Sequence, residues 1–118
     1  MMLHRGDLAL AHYPFASRIG SSRRPVLILQ SDIYIRRICN TIVAQITTNL
    51  ARGNDPAHLL IEISTPDGKQ TGLLHDSVVS CLNLATLTDD RIDQVIGRLS
   101  DVLMGEINAR LKVALALP

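Results

Sequence analysis

The chain has 118 residues, of which 47% are hydrophobic and only 3% aromatic, so one domain with a core of Leu, Ile, Val and Ala is expected. No apolar stretch reaches the roughly 18 residues of a membrane span, the first residues lack a signal-peptide apolar run, and two cysteines are too few for a disulfide framework. A cytoplasmic protein with no membrane association is therefore expected, and its formal net charge of +1 does not by itself indicate a nucleic-acid binder.

The distribution of charge is more informative than its sum. Residues 1–53 hold seven arginines against two aspartates, a balance of +5, whereas residues 54–118 hold five Lys/Arg against nine Asp/Glu, a balance of −4. Such asymmetry indicates a surface that faces a polyanion, although chance clustering of solvated arginines would give the same counts.

The first half of the chain predicts three short strands. Residues 7–15 alternate and close with Tyr-Pro-Phe, which predicts a strand that ends near the proline. Residues 16–24 are rich in Gly, Ser and Arg and predict a mobile loop, and the apolar run 25–30 suits a buried strand. Residues 31–37 predict a brief helical turn, and the β-branched residues of 40–47 (NTIVAQIT) indicate the clearest strand.

The second half continues with short elements and then changes period. We expect a polar loop at 48–56, a strand at 58–63 and a turn at 65–68. One or two strands follow at 73–84, then a short capped helical segment at 88–90 and a last strand at 94–99. Ser100 is predicted to be an N-cap, with Asp101 in the first turn of the helix. From there, helical spacing places one apolar face on Val102, Leu103, Ile107, Leu111 and Leu115, with Met104 and Ala114.

These elements amount to five to seven short strands followed by one amphipathic helix. No repeat or linker divides the chain, so residues 1–118 are expected to form a single mainly β (α+β) domain, a small antiparallel barrel of the SH3-like kind with a C-terminal helix packed alongside. Functional residues are expected on the two polar loops and the adjoining strand ends.

Four segments, in this order and spacing, resemble the MazF/PemK toxins: RGDL at 5–8, SRRPVLIL at 22–29, IVAQITT at 42–48 and GLLHDSVV at 72–79, and the tail IGRLSD at 96–101 also fits. The resemblance spans residues 5–116, nearly the whole chain. It implies the SH3-like barrel shared with the CcdB toxins, a homodimer, and sequence-specific cleavage of single-stranded RNA or mRNA without metal or cofactor. It also implies a cognate antitoxin that lays an acidic, largely disordered segment across the dimer groove.

The resemblance places two catalytic residues. Arg24 precedes Pro25, where the family's catalytic arginine falls, and a guanidinium can stabilise the extra negative charge of a phosphorus under attack by the RNA 2′-OH. Thr47 matches the Thr/Ser that closes the third motif, and its hydroxyl could donate to a phosphate oxygen or orient the 2′-OH. Each also has a structural reading, a surface ion pair for the arginine and a strand-end polar residue for the threonine.

Further residues are expected to bind RNA rather than to act on it. Arg23 would be a secondary phosphate contact, Thr48 an alternative to its neighbour, and Asn83 stands where many family members carry Gln. The expected RNA-binding set is Arg18, Arg23, Thr48, Asn49 and Asn83. Tyr13 and Phe15 could offer stacking surfaces for bases, although core packing suits the phenylalanine better.

Proton transfer is not assigned by the sequence. Many relatives carry an Asp beside the Gln, but here Leu82 occupies that position. His75 and Asp76 could supply base and acid, yet neighbours on a strand point to opposite faces and could not both line one cleft. Scattered histidines and cysteines give no zinc-ligand spacing, so no metal is expected.

Two alternatives to the endoribonuclease hypothesis remain open at this point. One is a non-catalytic gyrase inhibitor resembling the CcdB toxins, and the other is an RNA-binding barrel without activity. The missing carboxylate at position 82 is what keeps both open.

Overall fold

The computed structural model describes residues 1–12 and 23–118. In chain order, the elements are β1 (Asp7–His12), β2 (Arg23–Ile28), α1 (Asp32–Ile35), β3 (Asn40–Thr47), β4 (His58–Ile61), α2 (Pro66–Lys69), β5 (Ser77–Thr88), a 3-10 turn (Asp89–Arg91), β6 (Ile92–Arg98) and α3 (Asp101–Leu115). The described strands form one six-stranded sheet in the order β4-β5-β3-β2-β1-β6, and every pairing is antiparallel. The expected mainly β fold with a C-terminal helix is confirmed.

Some elements have the bounds that the sequence predicts, and others differ from the prediction. β3 has the predicted bounds, because its β-branched residues suit a pleated surface. The expected turn at 65–68 is the start of α2, whose Thr65 Oγ1 accepts a hydrogen bond from Gly68 N at 3.0 Å. The strand expected from residue 73 begins only at Ser77 and then runs unbroken to Thr88.

The pairing of β3 with β5 contains a register slip that shapes the sheet. Ala44 pairs with Leu84, but the next residue, Gln45, pairs with Ser80. Residues 81–83 therefore have no partner on β3, and a strand bends where such extra residues accumulate. The bend brings the side chain of Asn83 back to Ser80.

Two apolar clusters cover the two faces of the sheet. The first packs the sheet against α3 and includes Leu27, Ile46, Val79 and Ile107. The second lies on the other face, where Val26 and Val43 belong to it together with Ala9, Ala11, Ile28, Leu87 and Ile92. Strand alternation thus sends neighbouring residues of β2 and β3 to opposite faces.

The helix α3 is capped as expected but buries a narrower face than expected. Ser100 Oγ accepts a hydrogen bond from Leu103 N at 3.2 Å, and Ile107 is fully buried. Val102, however, is 71% exposed and Leu115 is 52% exposed, so these two members of the predicted apolar face do not pack on the sheet. Val102 lies five residues before Ile107, about 140° away around the helix axis.

Within the described part of the chain, no helix has the length and apolarity needed to cross a membrane.

Candidate functional site

Arg24 occupies an exposed position near the start of β2. The β2–β3 ladder pairs Val26 with Gln45, and continuing this antiparallel register by two residues places Arg24 opposite Thr47. The ladder itself ends at Val26 and Gln45, and strand alternation puts Arg24 and Thr47 on the same face of the sheet. Among residues 1–12 and 23–118, none makes a hydrogen bond or ion pair with the Arg24 side chain, so its guanidinium is available to a ligand.

Thr47 ends β3, opposite Val78 of β5. Its Oγ1 accepts a hydrogen bond from Asn49 N at 3.1 Å, and Asn49 Oδ1 in turn accepts one from Ala51 N at 3.0 Å. Side chains of this type turn the backbone by bonding it two residues on. The Thr47 hydroxyl is held by an accepted hydrogen bond, so its own proton remains available for donation.

A polar cavity of about 230 Å³ opens beside Thr47. Its walls come from β3, β4, β5 and the loop after β3, and the lining residues are Gln45, Thr47, Asn49, Arg52, His58, Val78, Ser80 and Asn83. The structure therefore brings together three residues predicted from sequence, Thr47, Asn49 and Asn83. Arg24 is outside this lining and stands one strand away on the same face.

A hydrogen-bonded chain forms one wall of the polar cavity, with His58 and Ser80 buried, Asp55 half-buried and Asn83 exposed. His58, 3% exposed, has its Nδ1 2.7 Å from Asp55 Oδ2 and its Nε2 3.0 Å from Ser80 Oγ. Asn83 Nδ2 donates to the same Ser80 Oγ at 2.9 Å. The pKa of Asp55 is lowered, first by the hydrogen bond from the His58 ring and then by one from the backbone N–H of Ala57.

Sequence reasoning missed His58, Ser80 and Asp55. The signal that could have marked the first two is a polar residue within an apolar strand, as in HLLI and SVVSC. The register brings them together, because β4 and β5 place His58 directly opposite Ser80.

A family model of PemK-like, MazF-like toxins of type II toxin–antitoxin systems matches residues 4–115. The chain belongs to this family. It is 32% identical to the endoribonuclease EndoA of Bacillus subtilis over 120 residues, covering 99% of the chain and 97% of that relative. It is also 32% identical to the endoribonuclease MazF of Staphylococcus saprophyticus over 117 residues, covering 98% and 93%.

Solved structures show the same fold. A mycobacterial endoribonuclease in complex with its cognate antitoxin superposes with a TM-score of 0.77 at 23% identity, covering 98% of this chain and 97% of that one. MazF in a MazE–MazF complex from Deinococcus radiodurans gives a TM-score of 0.75 at 18% identity, with both chains fully covered. The family match and the two relatives at 32% identity confirm the MazF/PemK resemblance of the sequence.

Two other residues expected to bind RNA in this family member lie apart from the polar cavity. Thr48 follows Thr47 and faces the other way, where it lines a second, mainly apolar cavity of about 310 Å³ with Pro25 and Ser77. Arg23 precedes Arg24, and its guanidinium forms an ion pair with Asp93. Arg18, Tyr13 and Phe15 lie outside the described residues.

The two candidates for proton transfer, His75 and Asp76, are not on a strand, as had been expected, but precede β5. Asp76 Oδ1 accepts a hydrogen bond from Ile63 N at 2.9 Å, which ties the end of β4 to the start of β5. His75 is exposed and borders the apolar cavity rather than the polar one. Over residues 1–12 and 23–118, no three His, Cys, Asp or Glu side chains are grouped so that they could hold a metal ion.

Proposed function

We propose that this protein is the toxin of a type II toxin–antitoxin system and acts in the cytoplasm as a sequence-specific endoribonuclease on single-stranded RNA, including mRNA. One observation supports the proposal: Arg24 and Thr47 lie on the same face of neighbouring strands, and that face also holds the polar cavity. Membership of the toxin family supports it, as do two relatives at 32% identity that are named endoribonucleases.

The reaction proposed for this site needs no metal or cofactor. The 2′-OH attacks the adjacent phosphorus, a bond forms between O2′ and phosphorus, and the bond from phosphorus to O5′ breaks. The attacking 2′-OH releases its proton to water and the leaving O5′ takes one up from water, so the products are a 2′,3′-cyclic phosphate and a 5′-hydroxyl with no net change in protons. In-line attack of this kind depends chiefly on positioning and on stabilising charge.

Arg24 and Thr47 divide these two tasks. The guanidinium of Arg24 is permanently charged and is planar, which matches the oxygens of a phosphate. It stabilises the additional negative charge that appears as the 2′-oxygen attacks. The Thr47 hydroxyl, anchored by Asn49 N, donates its proton to a phosphate oxygen and so fixes the orientation of the phosphate relative to the 2′-OH.

Partners follow from the charge and exposure of the same surfaces. Arg24 and Arg52 lie at or beside the polar cavity and attract both RNA and the acidic segment of a cognate antitoxin, which compete for one face. A homodimer is proposed, in which α3 contributes to or borders the interface. Its exposed apolar side chains, Val102, Val113 and Leu115, are the surplus that a partner subunit would cover.

The direct experiment is incubation of the purified protein with a long mRNA in the presence of EDTA, followed by mapping of the cut sites and chemical analysis of the ends. Cleavage at a short recurring sequence, leaving 2′,3′-cyclic phosphate and 5′-hydroxyl ends, is expected. Binding of RNA without cleavage would indicate the inactive barrel instead. Inhibition of DNA gyrase without any action on RNA would indicate a CcdB-like inhibitor.

A further inference from the structure

We propose that the apolar cavity beside Pro25 and Thr48 binds one base of the RNA, next to the phosphate that Arg24 and Thr47 hold. The inference rests on the proposed function and extends it, because it assigns a base-binding site to residues that have no part in the reaction. Pro25 and Thr48 each directly follow a residue of the proposed reacting site, so the cavity begins one residue away from that site on both strands.

The size and composition of the apolar cavity suit a small planar group. Its volume is about 310 Å³, at the lower end of the roughly 300–1,000 Å³ of small-molecule sites. Leu10, Pro25, Leu73, Leu74 and Ile96 form its apolar wall. Enzymes that bind a base outside its stack hold the ring between apolar or aromatic side chains.

The segment between α2 and β5 (residues 70–76) forms one side of the cavity and is held against β6. Gly72 has a φ of +73°, and a Cβ there would lie 2.1 Å from the carbonyl oxygen of Ile96, so this close approach requires glycine. Arg98 N also donates a hydrogen bond to the carbonyl oxygen of Gln70 at 3.0 Å. Two backbone contacts with β6 therefore fix this side of the cavity before any ligand binds.

Leu74 lies on the held segment 70–76 and is 82% exposed. Single exposed apolar side chains are common on protein surfaces, but this one lines an apolar cavity one residue away from a proposed reacting site. A ring that lies over Leu74 and enters the cavity removes this apolar surface from water, which favours binding.

Two polar side chains that line the cavity favour a base over an aliphatic side chain as its occupant. Thr48 and His75 are both exposed, and within residues 1–12 and 23–118 neither the hydroxyl nor the imidazole ring makes a hydrogen bond. A hydroxyl both donates and accepts, and a neutral imidazole has one donor and one acceptor. The edges of bases carry the complementary donors and acceptors, whereas an aliphatic side chain would leave both groups unused.

The charge around the cavity suits an RNA chain. Among the described residues its lining includes no aspartate or glutamate, and Arg24, whose guanidinium has no partner there, adjoins Pro25. Neighbouring residues of a strand point to opposite faces. The RNA therefore passes around the ends of β2 and β3, with the reacting phosphate on the Arg24 side and a neighbouring base on the Pro25 side.

The test compares Leu74→Ala, which removes an exposed part of the cavity wall, with Ile33→Ala as the matched control. Ile33 is also an exposed apolar residue, at 62%, but it belongs to α1 and lines neither cavity. Because both side chains are exposed, neither change should alter the urea unfolding midpoint. The probes are short RNA oligonucleotides spanning the mapped cut site, each with one abasic nucleotide that is moved stepwise along the sequence.

On the unmodified oligonucleotide, Leu74→Ala is expected to lower kcat/KM by about 3- to 10-fold, because apolar contact with the base is lost, and Ile33→Ala should match the wild type. At one abasic position the difference between Leu74→Ala and wild type should disappear, since no base remains there to contact the leucine. His75→Ala should narrow the preference among the four bases at that same position.

Three results would overturn the base site. They are a Leu74→Ala variant that cleaves like the wild type, an equal loss in Ile33→Ala, and a difference between Leu74→Ala and wild type that persists at every abasic position. Each would leave the cavity to another occupant, such as an apolar side chain of a protein partner.

Binding measurements separate failure of this inference from failure of the proposed function. If the wild type cuts no RNA, the nuclease proposal fails, and fluorescence anisotropy with labelled RNA oligonucleotides drawn from the mRNA tests the base site alone. Weaker binding by Leu74→Ala than by wild type and Ile33→Ala, with the difference removed at one abasic position, would support the base site. Equal binding by all three proteins would overturn it.

Discussion

Arg23 and Arg24 are adjacent in sequence, and replacing each in turn by alanine is expected to give very different enzymes. Arg24 is exposed and has no hydrogen-bonding partner within residues 1–12 and 23–118, so its removal should change the free energy of unfolding by less than about 0.5 kcal/mol. Loss of one donor to a developing oxyanion commonly lowers kcat by about 10²–10³-fold. Arg24→Ala should therefore be folded and almost inactive.

Arg23→Ala is the matched control. It breaks an exposed ion pair with Asp93, and exposed pairs contribute about 0–1 kcal/mol. It should weaken RNA binding across many sequences and leave kcat within a few-fold of the wild type. The assay is single-turnover cleavage of an oligonucleotide at saturating enzyme, with urea unfolding of both variants alongside. Equal losses of kcat in the two variants, or a fully active Arg24→Ala, would refute the reasoning from strand faces.

Three further predictions concern stability and assembly. Gly97→Ala should lower the free energy of unfolding in urea by about 1–3 kcal/mol, since a Cβ at this position would lie 2.3 Å from the backbone carbon of Thr71. An unchanged free energy of unfolding would contradict this close approach of Gly97 to Thr71. Asp55→Asn should be less stable than wild type at neutral pH, because the pKa of Asp55 is lowered in the folded state and its carboxylate therefore stabilises the fold. That stabilisation disappears on protonation, so the difference in the free energy of unfolding should shrink as the pH falls below about 4. A difference independent of pH would contradict this prediction. Light scattering at micromolar concentration should give the mass of a dimer, and a strictly monomeric mass would exclude the proposed assembly.

Much of the fold could be predicted from local signals. β3 was predictable to the residue because its composition suits only a strand, and Ser100 was predictable as the cap of α3 because hydroxyl side chains accept from the first free N–H groups. Val102 could not be placed correctly by periodicity alone. Its apolar character fits a helix face, but only the position of the sheet decides which residues α3 buries.

The site was predictable where motifs carried it and not where strand pairing created it. Arg24 and Thr47 were predicted from short motifs, and strand alternation from the Val26–Gln45 pair puts both on one face of the sheet. His58 and Ser80 are 22 residues apart and meet only through the β4–β5 register. Asn83 joins them because of the register slip in β5, a feature that leaves no recognisable pattern in the sequence.

The central claim is that Arg24 and Thr47 act on one phosphate across the β2–β3 pair, and a double-mutant cycle on kcat tests it most directly. Arg24→Ala, Thr47→Val and the double variant are compared with wild type on one RNA substrate. Residues that act as a unit show strongly non-additive losses, so the double variant is expected to cleave at a rate within about threefold of Arg24→Ala alone. A double variant whose loss equals the product of the two single losses would show that the two residues act independently, and would contradict the claim.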